Sequence, residues 1–149
     1  MAQNHRKPPL PESMTQPRRP GWCRWCGLEI LVEGKRVTRR TWHPECVTEY
    51  FITCSSKEQR KALFQRDKGI CAKCGIDTCE QAKSGVPEDQ FKFIKCGRRT
   101  GRFWQADHVV ALVNAGRDLR MWTLENLQTL CTKCHTTKTA DDIRKARAR

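Results

Sequence analysis

The sequence predicts a small α+β protein whose parts are stabilised by metal-binding side chains rather than by one large hydrophobic core. The chain has 149 residues, of which 38% are hydrophobic and 7% aromatic. Small domains of such composition usually need additional stabilisation. Ten cysteines can supply it, because most of them fall into C-x2-C pairs accompanied by histidines. This grouping favours zinc over disulfides. Helix-capping patterns and short alternating segments predict both helices and strands.

Charge and hydropathy limit the possible partners. The chain has 29 basic and 16 acidic residues, a formal net charge of +13. Nucleic acid is the natural partner of so basic a chain, although a solvated basic surface has the same composition. No apolar run is long enough to span a membrane, and the N-terminus lacks a signal-peptide core. We therefore expect no membrane partner, no secretion and a reducing compartment: cytoplasmic for a bacterial or phage protein, nuclear for a eukaryotic one.

The N-terminal third divides into an arm and a first metal module. Residues 1–21 contain five prolines and no apolar periodicity, so we expect a disordered basic arm. Residues 22–54 are predicted to form a small treble-clef or zinc-ribbon-like module, with a β-hairpin over 28–41 that turns at Glu33–Gly34 and a short helix after the last ligand. The four predicted zinc ligands are Cys23, Cys26, His43 and Cys46. A closed four-ligand site indicates stabilisation or DNA docking, and a hairpin with unliganded cysteines is the alternative.

Residues 55–149 form the second predicted domain, which begins with a helix. Capping-box patterns starting at Ser55 and Ser56 predict a helix that ends at Lys68, with Gly69 as its C-cap. The C-x2-C pair that begins at Cys71 follows at once and can hold half of a zinc site. A short helix is expected over residues 77–83.

The segment between residues 76 and 101 is the least readable part of the chain, because glycine and proline interrupt it. Three cysteines outside the pairs have no clear partner, and we expect each to be a small buried apolar residue. They are Cys54, Cys79 and Cys96. A basic cluster just ahead of the next strand offers candidate nucleic-acid contacts. It comprises Arg98, Arg99 and Arg102.

The C-terminal third carries the residues suited to chemistry. Asp107 and His108 are adjacent at the head of an apolar run that predicts a strand over 103–113. Asn126 lies within a second strand or extended return over 122–130. Helix is expected over 132–137, followed by a further helix capped by Thr139 and Asp142.

A C-x2-C-H motif closes this region, formed by Cys131, Cys134 and His135. Its two thiolates can hold the second half of a zinc site. A carboxylate with imidazoles can hold one divalent ion and activate one water. Both kinds of ligand therefore lie within one short stretch of sequence.

These motifs resemble the HNH endonuclease family, the ββα-metal nucleases. The matching residues are the Asp107-His108 pair, Asn126 within Asn-Leu-Gln-Thr-Leu-Cys, and the C-x2-C-H-x2-K-T run that begins at Cys131. The upstream C-x2-C-G completes the zinc-bearing version, so the resemblance covers roughly residues 57–149. The lead-in to His108 is similar to the HNH appendage of a eukaryotic fork-remodelling helicase, and small bacterial and phage members are similar too. The resemblance implies a zinc-stabilised ββα-metal core.

The resemblance also implies a role for each motif residue. Asp107 and His135 would bind a catalytic divalent ion, Mg²⁺ or Mn²⁺, and His108 would be the general base. Asn126 would brace the loop that carries His108, with a direct metal contact as the alternative. A structural zinc, the second of the chain, would be held by Cys71, Cys74, Cys131 and Cys134.

Two further expectations concern the surroundings of this site. Adjacent side chains of a regular strand face opposite sides, so we expect irregular backbone at Asp107–His108. Lys138 lies one helical turn beyond His135 and is a candidate phosphate contact, with a solvated lysine as the alternative.

The implied function is metal-dependent hydrolysis of DNA to 5′-phosphate and 3′-hydroxyl products. A non-catalytic, zinc-dependent nucleic-acid-binding accessory protein would explain the charge and the cysteine pairs, but not Asp107-His108 or His135. A third hypothesis is a structural adaptor that binds protein through its zinc modules. The sequence leaves open monomer or homodimer, nicking or double-strand cleavage, and membership of a larger DNA-processing complex.

Overall fold

The computed structural model describes residues 8–84, 103–112 and 118–148. Its elements are, in chain order, α1 (Glu12–Thr15), β1 (Leu31–Val32), β2 (Lys35–Arg36), α2 (Pro44–Cys54), α3 (Ser56–Asp67), α4 (Thr78–Lys83), β3 (Trp104–His108), β4 (Leu127–Cys131) and α5 (Thr132–Arg147). Strand β1 pairs with β2 and β3 with β4, both antiparallel. The fold is α+β, as predicted. None of the helices in the described ranges is long and apolar enough to cross a membrane.

The first module is built on a tight turn at its first cysteine pair. The Cys23 N–H donates to the Leu28 carbonyl at 2.8 Å, and the Gly27 N–H donates to the Cys23 carbonyl at 3.0 Å. The hairpin turns where predicted, with left-handed φ values of 52° at Glu33 and 74° at Gly34. Each strand has only two residues and the hairpin is much shorter than predicted, because the side chain of Ile30, directly before β1, is buried in the core.

Part of the predicted disordered arm packs on this module, which corrects the prediction for residues 12–15. Ser13 Oγ lies 2.8 Å from the carbonyl oxygens of both Arg24 and Trp25. Met14 packs against the buried cluster that contains Trp25. The proline-rich composition hides this contact, because one methionine creates no periodicity. Residues 1–7 lie outside the described residues.

Helix α3 connects the first module to the second domain. The Ser55 side chain accepts from the Glu58 N–H at 3.4 Å and caps its N-terminus, as the capping box predicted. The C-cap is Lys68, in the left-handed region at φ 53°, rather than Gly69. The fully buried Leu63 packs against Trp104 and Leu127, which places α3 across the β3–β4 pair.

Strands β3 and β4 and helix α5 form a ββα unit. The register runs from Trp104 opposite Cys131 to His108 opposite Leu127, and β4 leads directly into α5. The strand prediction over 103–113 was too long, because β3 ends at His108 and the Val109 N–H donates to the Asn126 carbonyl at 2.7 Å. Val109 is 51% exposed, so its apolar character gives no burial that would extend the strand.

Two other predictions in this unit are corrected. Asn126 lies in a 3-10 turn, Leu124–Asn126, and not within a strand. A second 3-10 turn spans Leu119–Trp122. Helix α5 is continuous over 132–147, because Lys138 and Asp142 are joined across one turn and stabilise the region where a break was expected.

Candidate functional site

The four predicted ligands of the first zinc site lie together, with ligand atoms within 4.8 Å of one another. His43 Nδ1 is 3.4 Å from Cys26 Sγ and 3.8 Å from Cys46 Sγ. On the other side of the ring, Nε2 is 3.1 Å from the Glu29 carbonyl oxygen. A proton on Nε2 would be donated to that carbonyl, which leaves the Nδ1 lone pair directed at the cysteines.

The second cluster also forms as predicted, with the sulfur atoms of Cys71, Cys74, Cys131 and Cys134 within 4.8 Å of one another. The Gly75 N–H donates to the Cys71 carbonyl at 2.8 Å. The Ala72 N–H donates to the Thr129 carbonyl at 2.8 Å, which ties this turn to β4. The cluster therefore joins the start of the domain to the ββα unit.

Backbone hydrogen bonds prepare one thiol in each cluster for metal binding. Burial acts to raise the pKa of Cys23 and Cys71, but backbone N–H groups directed at the two sulfurs outweigh it and lower the pKa values to about 7 and about 6. Burial and neighbouring sulfurs raise the pKa of Cys46, and that of Cys134 to about 12. Several thiolates cannot be charged side by side without a cation, so each donor set fits zinc.

Two of the three cysteines outside the C-x2-C pairs and the clusters lie in the described residues, and both differ from the prediction. Cys79 is disulfide-bonded and not a thiol without a partner. Cys54 is a free thiol but exposed rather than buried, because it ends α2 at the surface. Cys96 lies outside the described residues.

Asp107 of β3 faces helix α5. Its Oδ1 lies 3.8 Å from His135 Nε2, and its Oδ2 lies 3.1 Å from Lys138 Nζ. Gln128, its partner across the strand pair, donates from Nε2 to Oδ2 at 3.1 Å. The carboxylate side chain is 16% exposed. The structure thus brings together the two predicted ligands of the catalytic ion.

Lys138 brings a positively charged side chain next to Asp107. Its ammonium also contacts Asp142 Oδ2 at 2.6 Å. Burial opposes the charge of Lys138, but hydrogen bonds to Asp142 and Asp107 outweigh burial and raise its pKa. The predicted phosphate contact stays a prediction, because the ammonium is engaged with two carboxylates.

His108 has different neighbours from Asp107. Its ring meets Trp122 edge-on, with 5.6 Å between ring centroids and an interplanar angle of 74°. Its Nε2 is buried and has no hydrogen-bond partner among the residues the structure describes. Burial lowers the pKa of His108, nearby Asp107 opposes this shift and Lys138 adds to it. The net shift favours the neutral form of the imidazole.

The irregular backbone predicted at Asp107–His108 begins one residue later. Both residues pair regularly with β4, and bends start at Val109. Adjacent side chains in a regular strand face opposite sides, which explains why Asp107 meets α5 while His108 meets Trp122.

Asn126 makes the contacts expected of a brace. Its Oδ1 accepts from the Val110 N–H at 2.9 Å, and its Nδ2 donates to the carbonyls of Val110 at 3.2 Å and Met121 at 2.7 Å. Both amide protons are thereby used within the protein. The segment directly after His108 is fixed to the turn before β4.

Sequence reasoning missed three residues around the site: Trp122, Gln128 and Asp142. Gln128 could be found only from the β3–β4 register. Asp142 lies four residues after Lys138, a spacing that would have been a signal if one continuous helix had been predicted instead of two. The candidate contacts Arg98, Arg99 and Arg102 lie outside the described residues.

The fold and the site together define a ββα unit with a four-cysteine cluster, in which Asp107 of β3 faces His135 of α5. Residues 94–141 match the family model of the HNH endonuclease. The match covers the part of the chain that carries Asp107, Asn126 and His135, and it confirms the resemblance to the HNH endonuclease family seen in the motifs.

Several known proteins are similar to this chain. It is 28% identical over 138 residues to the DNA annealing helicase and endonuclease ZRANB3 of Mus musculus, covering 80% of this chain and 13% of that protein. For ZRANB3 of Homo sapiens the identity is 29% over 115 residues, covering 64% and 10%. The chain thus matches about a tenth of the length of these relatives. The crystal structure of the human ZRANB3 HNH domain aligns with 64% of this chain and 98% of its own, at 26% identity and a TM-score of 0.38.

Proposed function

We propose that this chain is a metal-dependent endonuclease that hydrolyses DNA phosphodiester bonds at the site between β3 and α5. The observation that carries the proposal is that Asp107 lies 3.8 Å from His135 and is followed in β3 by His108, whose pKa is lowered by burial. The HNH family match and the similarity to proteins named as endonucleases support the reaction class. The net charge of +13 supports a polyanionic substrate.

The donor set of the site fits a divalent cation. Asp107 supplies a hard anionic oxygen and His135 an imidazole, ligands that suit Mg²⁺ or Mn²⁺. The carboxylate already binds one cation, the Lys138 ammonium at 3.1 Å, which a metal ion would have to displace. A bound ion would neutralise charge on the phosphate and stabilise the leaving oxyanion.

His108 serves in this proposal as the general base that takes a proton from the attacking water. Its lowered pKa keeps a ring nitrogen unprotonated at neutral pH, and a buried nitrogen without a partner is uncommon in proteins. A metal-bound histidine could not accept this proton. His108 packs against Trp122 but is still affected by the charges of Asp107 and Lys138, which supports a base that lies near the metal ligands without being one of them.

Asn126 and Lys138 act in the proposal through other groups. Asn126 does not titrate, and its hydrogen bonds to Val110 hold the backbone that follows the base. Lys138 competes with the metal for Asp107, and Asp142 keeps the displaced ammonium near the site. From there Lys138 is positioned for the predicted phosphate contact.

A plasmid assay tests the proposal. Zinc-replete protein is incubated with supercoiled DNA with and without Mg²⁺ or Mn²⁺, beside a His108→Ala variant of equal zinc content. We expect nicked or linear DNA from the wild type alone, and only with added metal. The ratio of nicked to linear product would distinguish single-strand from double-strand cleavage. No cleavage, with equal DNA binding by both proteins, would favour the non-catalytic binding module.

The proposal also includes the structural metals, the partner and the compartment. The two cysteine clusters would each hold one structural zinc, and DNA would be the partner. A DNA substrate would place the activity in a eukaryotic nucleus or in bacterial cytoplasm.

A further inference from the structure

We propose that the β1–β2 hairpin of the first module is a second DNA-binding element, which enters a groove of duplex DNA. The inference is independent of the site between β3 and α5. It rests on the exposure, charge and anchoring of the hairpin.

The hairpin is exposed along its whole length, from residue 31 to residue 36. Leu31 and Val32 are 53% and 40% exposed, and Leu28 at its base is 64% exposed. These aliphatic side chains contribute little to the stability of the module in this position. A two-stranded ribbon with both faces in solvent is also marginally stable alone. Its apolar residues therefore need another explanation, which contact with a partner provides.

The base of the hairpin is held by the first cysteine cluster and by the buried residues that surround Ile30. Ile30 is 2% exposed, and its carbonyl accepts from the Val37 N–H at 2.9 Å. The Glu29 carbonyl faces His43 Nε2 at 3.1 Å. The hairpin thus extends from a fixed base, and its binding would cost little conformational entropy.

The basic side chains of the module are concentrated between residues 35 and 40, beside these aliphatic residues, and the turn itself carries one acidic residue, the exposed Glu33. Arg36 pairs with Glu29 at 3.1 Å. In the described part of the chain, the exposed side chains of Lys35, Arg39 and Arg40 have no ion-pair partner. Helix α2 instead presents acidic residues, among them the exposed Glu45. A polyanion would therefore meet the hairpin and not the helix.

The combination of a narrow ribbon, free cations and aliphatic residues fits duplex DNA. A two-stranded β-ribbon can enter the major groove, and apolar side chains there contact thymine methyl groups. Lysine and arginine at its edges reach phosphates and release counterions. We assign Lys35, Arg39 and Arg40 to the phosphates. Leu31 and Val32 are adjacent in β1 and face opposite sides of the ribbon, so we assign them to base edges on its two sides.

Salt-dependent binding of the full chain to a short labelled duplex tests this assignment. Fluorescence anisotropy is measured with zinc-replete protein, without Mg²⁺ or Mn²⁺, between about 50 and 200 mM salt. The test variant combines Lys35→Gln, Arg39→Gln and Arg40→Gln. Its charge-matched control changes exposed lysines of other elements: Lys57→Gln, Lys68→Gln and Lys145→Gln.

We expect the hairpin variant to reduce the slope of log affinity against log salt by about 2 to 3, at about 0.9 per phosphate contact. The control should reduce it by less than about 1. Zinc content and the thermal transition should equal those of the wild type in both variants. Equal slopes for the two variants would overturn the proposal, whether or not the protein cleaves DNA.

A second variant tests the groove contact itself. Leu31→Thr with Val32→Thr keeps the charge and the β-propensity of the hairpin. We expect about 3- to 10-fold weaker binding at an unchanged salt slope, since thymine contacts but no phosphate contacts are lost. Unchanged affinity would exclude insertion of the hairpin.

Discussion

The two cysteine clusters share one local structure but differ in what they join. Each begins with the same tight turn, and Gly27 and Gly75 have the same φ of 72°. In the first cluster, Cys26 faces His43 only 17 residues away. In the second, Cys74 faces Cys131 across 57 residues. The first cluster therefore closes a local loop, whereas the second closes the whole domain that contains the candidate active site.

This difference determines what each metal would position. The first cluster orients His43, whose other nitrogen reaches the hairpin at the Glu29 carbonyl. In the second, the residue after the ligand Cys134 is His135, which faces Asp107. The same four-ligand arrangement thus supports a projecting surface element in one region and the proposed reaction site in the other.

The largest expected effect comes from removing one ligand of each cluster. Cys74→Ser and Cys26→Ser are matched, because both thiols are exposed second cysteines of their pairs. Structural zinc contributes about 10–16 kcal/mol in zinc-finger peptides. We expect Cys74→Ser to lose the thermal transition of the ββα unit and all cleavage.

The matched variant should behave differently. Cys26→Ser should lose one zinc and keep both the ββα transition and cleavage at saturating DNA, although DNA binding weakens because the hairpin loses its anchor. Zinc per chain and calorimetry check both variants. A single cooperative loss of structure in Cys26→Ser would show that the two regions unfold together. Leu119, which packs against the first core, would then be a contact that couples them.

Asn126→Ala should give the next largest effect. It leaves the Val110 N–H and two carbonyls without their side-chain partner, at a cost of about 2–3 kcal/mol. Cleavage by the folded variant should also fall, because the segment after His108 loses its brace. The polar control Thr78→Val removes one buried hydrogen bond to Gly69 and should cost about 1 kcal/mol without changing cleavage. Urea titration and single-turnover cleavage measure the two effects, and equal cleavage loss in both variants would contradict the assignment.

Asp67→Asn tests the hydrogen bond by which the Asp67 carboxylate of α3 contacts Thr129 of β4. Asp67 accepts from Thr129 Oγ1 at 2.8 Å and pairs with Arg66 at 2.6 Å. Burial acts to raise the pKa of Asp67, but Arg66 and Thr129 outweigh it and lower the pKa below 3.8. At neutral pH the variant should lose about 1 kcal/mol of unfolding free energy.

The pH dependence of that loss has a defined sign. Just below pH 3.8, the carboxyl group is protonated in the unfolded state but still charged in the folded state. The stabilisation is therefore complete above pH 3.8 and disappears as the pH falls through the folded pKa. The difference between wild type and Asp67→Asn should therefore shrink in acid. Denaturant melts of both proteins at each pH measure it, and a difference that grows in acid would refute the link.

The smallest predicted effect concerns the competing cation. Lys138→Gln removes the ammonium from Asp107 and should raise Mn²⁺ affinity about 2- to 5-fold, which corresponds to an ion pair of about 0.4–1 kcal/mol. Asp142→Asn should lower the affinity, because Lys138 then has only Asp107 as a partner. Calorimetric titration decides, and a weaker Mn²⁺ affinity in Lys138→Gln would contradict competition.

Local patterns predicted much of this structure. The cysteine pairs and the capping box at Ser55 succeeded because a few adjacent residues determine the local hydrogen bonds. The end of β3 could not be predicted, since it depends on Asn126 hydrogen bonds across 16 residues. The pairing of Gln128 with Asp107 required the register, and the packing of Met14 required the tertiary structure.

In the proposed function, Asp107 and His135 form a metal site that the second cysteine cluster holds in place. Titration of zinc-replete protein with Mn²⁺, followed by electron paramagnetic resonance, tests it most directly. We predict one Mn²⁺ site in the wild type and at least about tenfold weaker binding in Asp107→Asn, with two zinc ions retained per chain. Equal Mn²⁺ binding by the two proteins, or none by either, would contradict the claim.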